Sequence, residues 1–105
     1  MIGKEEFGLM KRTAFLINVS RAQIVNRDAL YTALYYGAIA GAAFDVFWKE
    51  LADPYDRLLQ LDNFVQTPHI VGLTIDSANV AAEVITKNIE MVAQGEVPST
   101  AVNYF

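Results

Sequence analysis

Apolar positions in this chain follow two rhythms that alternate from the amino terminus onward. In "GKEEFGLMKR", Phe7 and Met10 stand three apart among charges, which predicts a short amphipathic helix. "TAFLINV", Thr13 to Val19, is a continuous apolar run of strand length that stops at the polar turn "SRAQ". Helical spacing returns in "RDALYTALYY", where Leu30, Ala33 and Leu34 share a face. Asn26 is placed to cap that helix, Asp28 suits its positive end, and Gly37 stops it. "IAGAAFDVF" reads as a second buried strand whose small residues, Ala40 to Ala43, would let a helix pack close. Residues 48–62 form a long loop with one expected helical turn at Tyr55–Leu59, and "NFVQT" is a third short strand. Thr74 or Asp76 caps a long last helix whose Ala78, Ala81, Ile85, Ile89 and Val92 recur at three and four residues. Gly95 ends it, and "EVPSTAVNYF" is expected to be extended.

Helices alternating with buried, non-alternating strands predict an α/β fold: a parallel sheet of three strands with flanking helices covering both faces. Ligands of such sheets collect beyond the carboxyl ends of the strands. Ser20 and Arg21 follow the first strand, Asp45 ends the second and His69 follows the third, so all would stand on one edge. No repeat, low-complexity stretch or interdomain linker divides the 105 residues.

Composition narrows the chemistry. A net charge of −4 and eight scattered basic residues argue against nucleic-acid binding. No apolar stretch approaches the roughly 20 residues of a spanning helix, so no membrane is expected. A signal peptide is not seen, and the absence of cysteine suits a cytoplasmic protein and excludes thiolate metal sites. Gly37-x-x-x-Gly41 lacks both the Lys-Ser/Thr of a P-loop and the spacing of a dinucleotide fingerprint. No serine stands in a nucleophile elbow, and a single histidine makes no zinc cluster, so no metal is expected.

Arg21 could grip a carboxylate through two parallel hydrogen bonds, or be a solvated loop residue. Asp45, in the apolar context "AAFDVF", needs a donor partner, supplied by a ligand or by a local turn. A carboxylate at Glu50 that reached His69 would fix the ring's tautomer and favour its proton-carrying form, making it a proton donor. Tyr31, Tyr35 and Tyr36 are read as cover for core or subunit surface, and Phe44, Phe47 and Trp48 as core or loop anchors.

"LINVSRA", "IAGAAFDVFWKE", "LLQLDNFVQTPHIVGLT" and "EVPSTAVN" resemble, in order, the carboxyl-terminal part of the NAD-binding domain of the D-isomer-specific 2-hydroxyacid dehydrogenases, the family of phosphoglycerate dehydrogenase and glyoxylate reductase. The resemblance runs from "IGKEEFGLMK" to Asn103. It implies half of a Rossmann-like doubly wound sheet over residues 1–105, with the phosphate-binding half and the substrate domain absent. It implies catalytic roles for Arg21, which binds the substrate's carboxylate and keto oxygen, His69, the proton donor and acceptor, and Glu50, its partner. It also implies that Asp45 holds the nicotinamide carboxamide, and that Val19, Ser20, Arg21, His69 and Gly72 line that end of the cofactor. NAD is the expected cofactor, with NADP open, and the substrate a small 2-hydroxy or 2-keto acid.

Two positions depart from the family pattern. Ala22 stands where glycine is usual, and Leu51 where proline is usual, which loosens the loop carrying Glu50. Without the glycine-rich turn, dinucleotide affinity should be poor and the chain inactive alone. An open edge at "AFLINV" and the apolar face of the last helix predict a homodimer or higher oligomer. The alternative to an oxidoreductase fragment is a non-catalytic module that keeps the half-fold for assembly or for binding small acids.

Overall fold

A computed structural model describes residues 1–102. The last three residues of the expected extended tail, Asn103 to Phe105, lie outside the described residues. The chain divides into two compact units, Met1–Val71 and the residues from Gly72 onward.

In the first unit, α1 (Lys4–Leu9) precedes strand β1 (Phe15–Asn18), a 3-10 turn at Ala22–Ile24, and α2 (Arg27–Tyr35). Strands β2 (Gly41–Phe44) and β3 (Phe64–Gln66) complete a parallel sheet in the order β1-β2-β3. The ends of α2 are set by local chemistry. Asn26 accepts a hydrogen bond from the Ala29 amide at 2.9 Å, satisfying one orphan donor of α2. Gly37, at φ 65°, takes the left-handed conformation that lets the chain leave that helix.

The register, Asn18 opposite Phe44 and Phe44 opposite Gln66, aligns the carboxyl ends of the three strands. It also sorts the side chains by face. Leu16, Ala42, Phe44 and Phe64 join Phe7, Leu30, Leu34, Ile39 and Leu58 in one core. On the opposite face of the sheet Phe15, Ile17 and Val65 are exposed within this unit. Burying a leucine such as Leu30 or Leu58, both 0 % exposed, contributes about 1.5–3 kcal/mol each.

Gly41 is small for a different reason than the sequence suggests. A Cβ there would sit 3.0 Å from the Asn63 carbonyl and 3.0 Å from the Phe15 ring, so the constraint comes from the neighbouring strand and side chain, not from a helix.

The loop from Trp48 to Asp62 contains successive turns in place of the helical turn expected at Tyr55–Leu59. Its anchors are long-range, which is why local sequence did not reveal them. Arg27 pairs with Asp56 and Arg57 with Asp28, while the Arg57 guanidinium lies 4.3 Å from the centre of the Tyr31 ring. Trp48 stacks on Phe44 with ring centres 5.4 Å apart and donates its indole N–H to the Val25 carbonyl at 3.0 Å. Tyr31 packs against the core, whereas Tyr35 and Tyr36 are exposed.

The second unit is dominated by α3 (Ile75–Ala93), capped by Thr74, whose hydroxyl accepts from the Ser77 amide at 3.0 Å. Gly95, at φ 79°, follows its end. Ile85, Ile89 and Val92 are exposed along it. The tail beyond is not uniformly extended: the Ala101 amide bonds back to the Pro98 carbonyl at 3.0 Å in a tight turn.

Candidate active site

Each candidate residue comes from a segment just past a strand end, and polar side chains at those ends shape the segments. At β1, Asn18 is buried because its own loop satisfies it. Its Nδ2 donates to the Arg21 carbonyl at 2.9 Å and its Oδ1 accepts from the Ser20 amide at 3.0 Å. This holds the turn that presents Ser20 and Arg21. The Arg21 guanidinium is exposed and donates to the Ser20 carbonyl at 2.8 Å. Among the described residues it forms no hydrogen bond or ion pair with Asp45, Glu50 or His69. Ala22 is fully buried at the start of the 3-10 turn and its φ is not positive, so a methyl group is accommodated where the family pattern has glycine.

Asp45, one residue past β2, is only 3 % exposed and is held by one short segment. Its Oδ1 accepts from the Thr67 hydroxyl at 2.5 Å and from the Ile70 amide at 3.0 Å, and its Oδ2 accepts from the Val71 amide at 2.9 Å. The sequence left open whether a ligand or a local turn satisfies this carboxylate; its donors come instead from a segment 22 to 26 residues away. These donors keep the carboxyl below the usual carboxylate range, the Thr67 hydroxyl most, with burial opposing them and the Val71 and Ile70 amides and His69 assisting.

Among the described residues, His69 and Leu51 are the two non-glycine residues with positive φ, both at 58°. The His69 amide donates to the Thr67 carbonyl at 3.0 Å, closing a tight turn around Pro68. Its Nδ1 lies 3.0 Å from Glu50 Oε1, so Nδ1 is the donor to that carboxylate, and Nε2 has no hydrogen-bond partner among the described residues. Both side chains are about half exposed, at 50 % and 56 %.

Leu51 bears on this pair directly. A proline could not adopt φ 58°, so the loop carrying Glu50 follows a path that the family's usual residue would forbid.

A shallow hollow at this edge is lined by Val19, Ala43, Asp45, Val65, Thr67 and Val71. Asp45 Oδ2 accepts a single hydrogen bond and keeps capacity for another, and the surrounding wall is apolar. These residues fit the carboxamide end of a nicotinamide. Gly72, in the second unit, is exposed, and a Cβ there would meet nothing within 4 Å. Among the described residues no group of three or more His, Cys, Asp or Glu could hold a metal ion.

Reading the sequence missed Asn18 and Thr67. The signals were present, a polar residue closing each of two apolar runs, but nothing local indicated their partners.

The model of the D-isomer specific 2-hydroxyacid dehydrogenase, NAD binding domain, matches residues 1–71. The chain belongs to that family. A glyoxylate reductase of Korarchaeum cryptofilum is 44% identical over 103 residues, covering 98% of this chain and 31% of that protein. The glyoxylate reductase of Pyrococcus furiosus is 44% identical over 105 residues, covering 98% and 30%. Among solved structures, a D-isomer specific 2-hydroxyacid dehydrogenase from Xanthobacter autotrophicus, in complex with NADPH, superposes with a TM-score of 0.85 at 34% identity, covering 97% of this chain and 41% of that one. The NAD-complexed enzyme of the same description from Lactobacillus delbrueckii gives 0.82 at 31% identity, covering 98% and 35%. The chain thus spans about a third of the length of the curated relatives it matches. The half-Rossmann α/β fold and the family expected from the sequence both hold.

Proposed function

We propose that this chain is the carboxyl-terminal half of the cofactor domain of an oxidoreductase that moves hydride between NAD(H) or NADP(H) and a small D-2-hydroxy acid or 2-keto acid. The observation that carries the reading is the 3.0 Å pairing of Glu50 with the chain's only histidine, at the carboxyl edge of the sheet. It gives the ring one committed nitrogen and one free nitrogen, as a proton carrier requires.

When bound, the nicotinamide supplies the hydride. The chain's own residues do the remainder. Asp45 Oδ2 would accept a carboxamide N–H, and backbone around Val19 and Ser20 would line the ring. Arg21 releases the Ser20 carbonyl to hold the substrate carboxylate with two parallel hydrogen bonds and to stabilise charge on the keto oxygen. His69 Nε2 protonates that oxygen during reduction and takes the proton back during oxidation, while Glu50 holds Nδ1.

The 105 residues are inactive alone in this reading, which fixes the test. Grafted in place of the matching segment of the Pyrococcus furiosus glyoxylate reductase, they should support reduction of glyoxylate, hydroxypyruvate or pyruvate by NADH or NADPH. His69→Gln should lower that rate by about 10²–10⁴, the usual contribution of a general acid. A folded graft that neither turns over nor binds the dinucleotide by calorimetry would favour a non-catalytic module.

Self-association belongs to the same proposal. Its support is the outer edge of β1 and the exposed Phe15, Ile17 and Val65 on the open sheet face. Light scattering at about 10–100 µM, where weak association is populated, should report a dimer or larger species. A cytoplasmic location is supported by the cysteine-free composition. No helix among the described residues is long and apolar enough to cross a membrane.

A further inference from the structure

Every backbone N–H between Thr67 and Val71 has a defined partner, and the pattern shows what holds His69. Thr67 donates its amide to the Phe44 carbonyl at 3.0 Å, the last rung between β3 and β2. Pro68 has no N–H to place. His69 donates to the Thr67 carbonyl at 3.0 Å. Ile70 and Val71 both donate to Asp45. The carboxylate therefore grips the chain on both sides of His69, through the Thr67 hydroxyl before it and two amides after it. Between those grips the backbone has to reverse, and it does so at a histidine with φ 58°, a conformation L-residues avoid. Ile70 and Val71 are themselves half exposed, so their side chains provide little burial to hold the turn.

We propose that Thr67 is a positioning residue: by fixing the Asp45 carboxylate, its hydroxyl locks the 67–71 turn, holds His69 left-handed and aims Nδ1 at Glu50. Only the last consequence, a proton-carrying Nε2 presented to substrate, rests on the oxidoreductase reading. The clamp itself is a property of the free chain.

Thr67→Val preserves shape and removes the hydroxyl, and Thr67→Ser keeps it. Because His69 is the only histidine, its ring nitrogens give a single set of ¹⁵N signals. At a pH where the ¹⁵N shifts report a neutral ring, the parent chain and the serine variant should show one fixed tautomer with the proton on Nδ1. The valine variant should show averaging between both tautomers. Amide exchange at Ile70 and Val71 should accelerate about tenfold in the valine variant, the worth of one ordinary hydrogen bond, and stay unchanged in the serine variant.

A folded valine variant with the parent's ¹⁵N pattern and exchange rates would overturn the proposal. So would a folded serine variant that behaves like valine. Should the valine variant not fold, the parent decides alone: Ile70 and Val71 amides exchanging as fast as the exposed Gly72 amide would also overturn it. None of these readouts contains substrate or dinucleotide. A failed hydride assay therefore leaves the clamp standing, and a failed clamp leaves the hydride assay free to succeed.

Discussion

Replacing His69 by glycine should yield a more stable chain than replacing it by alanine, a reversal of the usual order. The ring contributes little in either comparison. Its one side-chain hydrogen-bonded partner among the described residues is the half-exposed Glu50, a pairing of the kind worth about 0–1 kcal/mol, and both substitutions remove it. What differs is the backbone. At φ 58° an alanine bears the left-handed penalty of about 1–2 kcal/mol that glycine escapes. Against this, glycine loses about 0.4–1 kcal/mol through its greater freedom in the unfolded chain. At the midpoints of these ranges the balance favours glycine by about 0.8 kcal/mol. For a unit of this size it raises the melting temperature of His69→Gly above that of His69→Ala by about 4 °C, at roughly 4–8 °C per kcal/mol. Thermal unfolding of both variants at neutral pH, followed by far-ultraviolet circular dichroism, measures it. Leu51, exposed and also at φ 58°, repeats the test with the same expected sign. If the alanine variants are as stable as the glycine variants or more so, the left-handed turn is not a constraint the fold imposes on these positions.

Three other outcomes follow from the same geometry. Leu51→Pro, which restores the family's usual residue, should destabilise the present path of the loop, because proline cannot reach φ 58°; a melting temperature below the parent's would register it. Trp48→Phe keeps an aromatic ring over Phe44 but leaves the buried Val25 carbonyl without its donor, so unfolding in urea should show a loss of about 1–3 kcal/mol. Asp45, held below the usual carboxylate range chiefly by the Thr67 hydroxyl, stabilises the fold above that range, and this contribution is lost as pH falls through the lowered value. In Thr67→Val the Asp45 carboxyl signal should titrate at higher pH than in the parent, and acid unfolding should begin at higher pH.

The chain's local signals were sufficient for its elements. The run at "TAFLINV" and the spacing of Leu30, Ala33 and Leu34 located β1 and α2, with Asn26 and Gly37 at the helix ends, because caps and periodicity act over a few residues. The loop from Trp48 to Asp62 was read less well. Its order comes from Arg27–Asp56, Arg57–Asp28 and the Trp48–Val25 hydrogen bond, contacts spanning 23 to 29 residues. Within it the backbone closes short turns, such as Asp56 to Asp53 and Leu59 to Asp56, without continuing into a helix.

By itself the sequence determined that three parallel strands would end on one edge and that Arg21, Asp45 and His69 would follow those ends. Strand direction follows from alternation with helices, and the residue after a strand can emerge only at its carboxyl side. Tertiary structure alone decided which of these groups meet. Glu50 reaches His69 across 19 residues, Asp45 reaches Thr67, Ile70 and Val71 across 22 to 26, and Arg21 turns back to its own loop. Those pairings depend on a buried carboxylate finding its donors and on two residues driven left-handed to supply the geometry. Such costs are met only once the sheet has assembled, so no window of neighbouring residues could encode them.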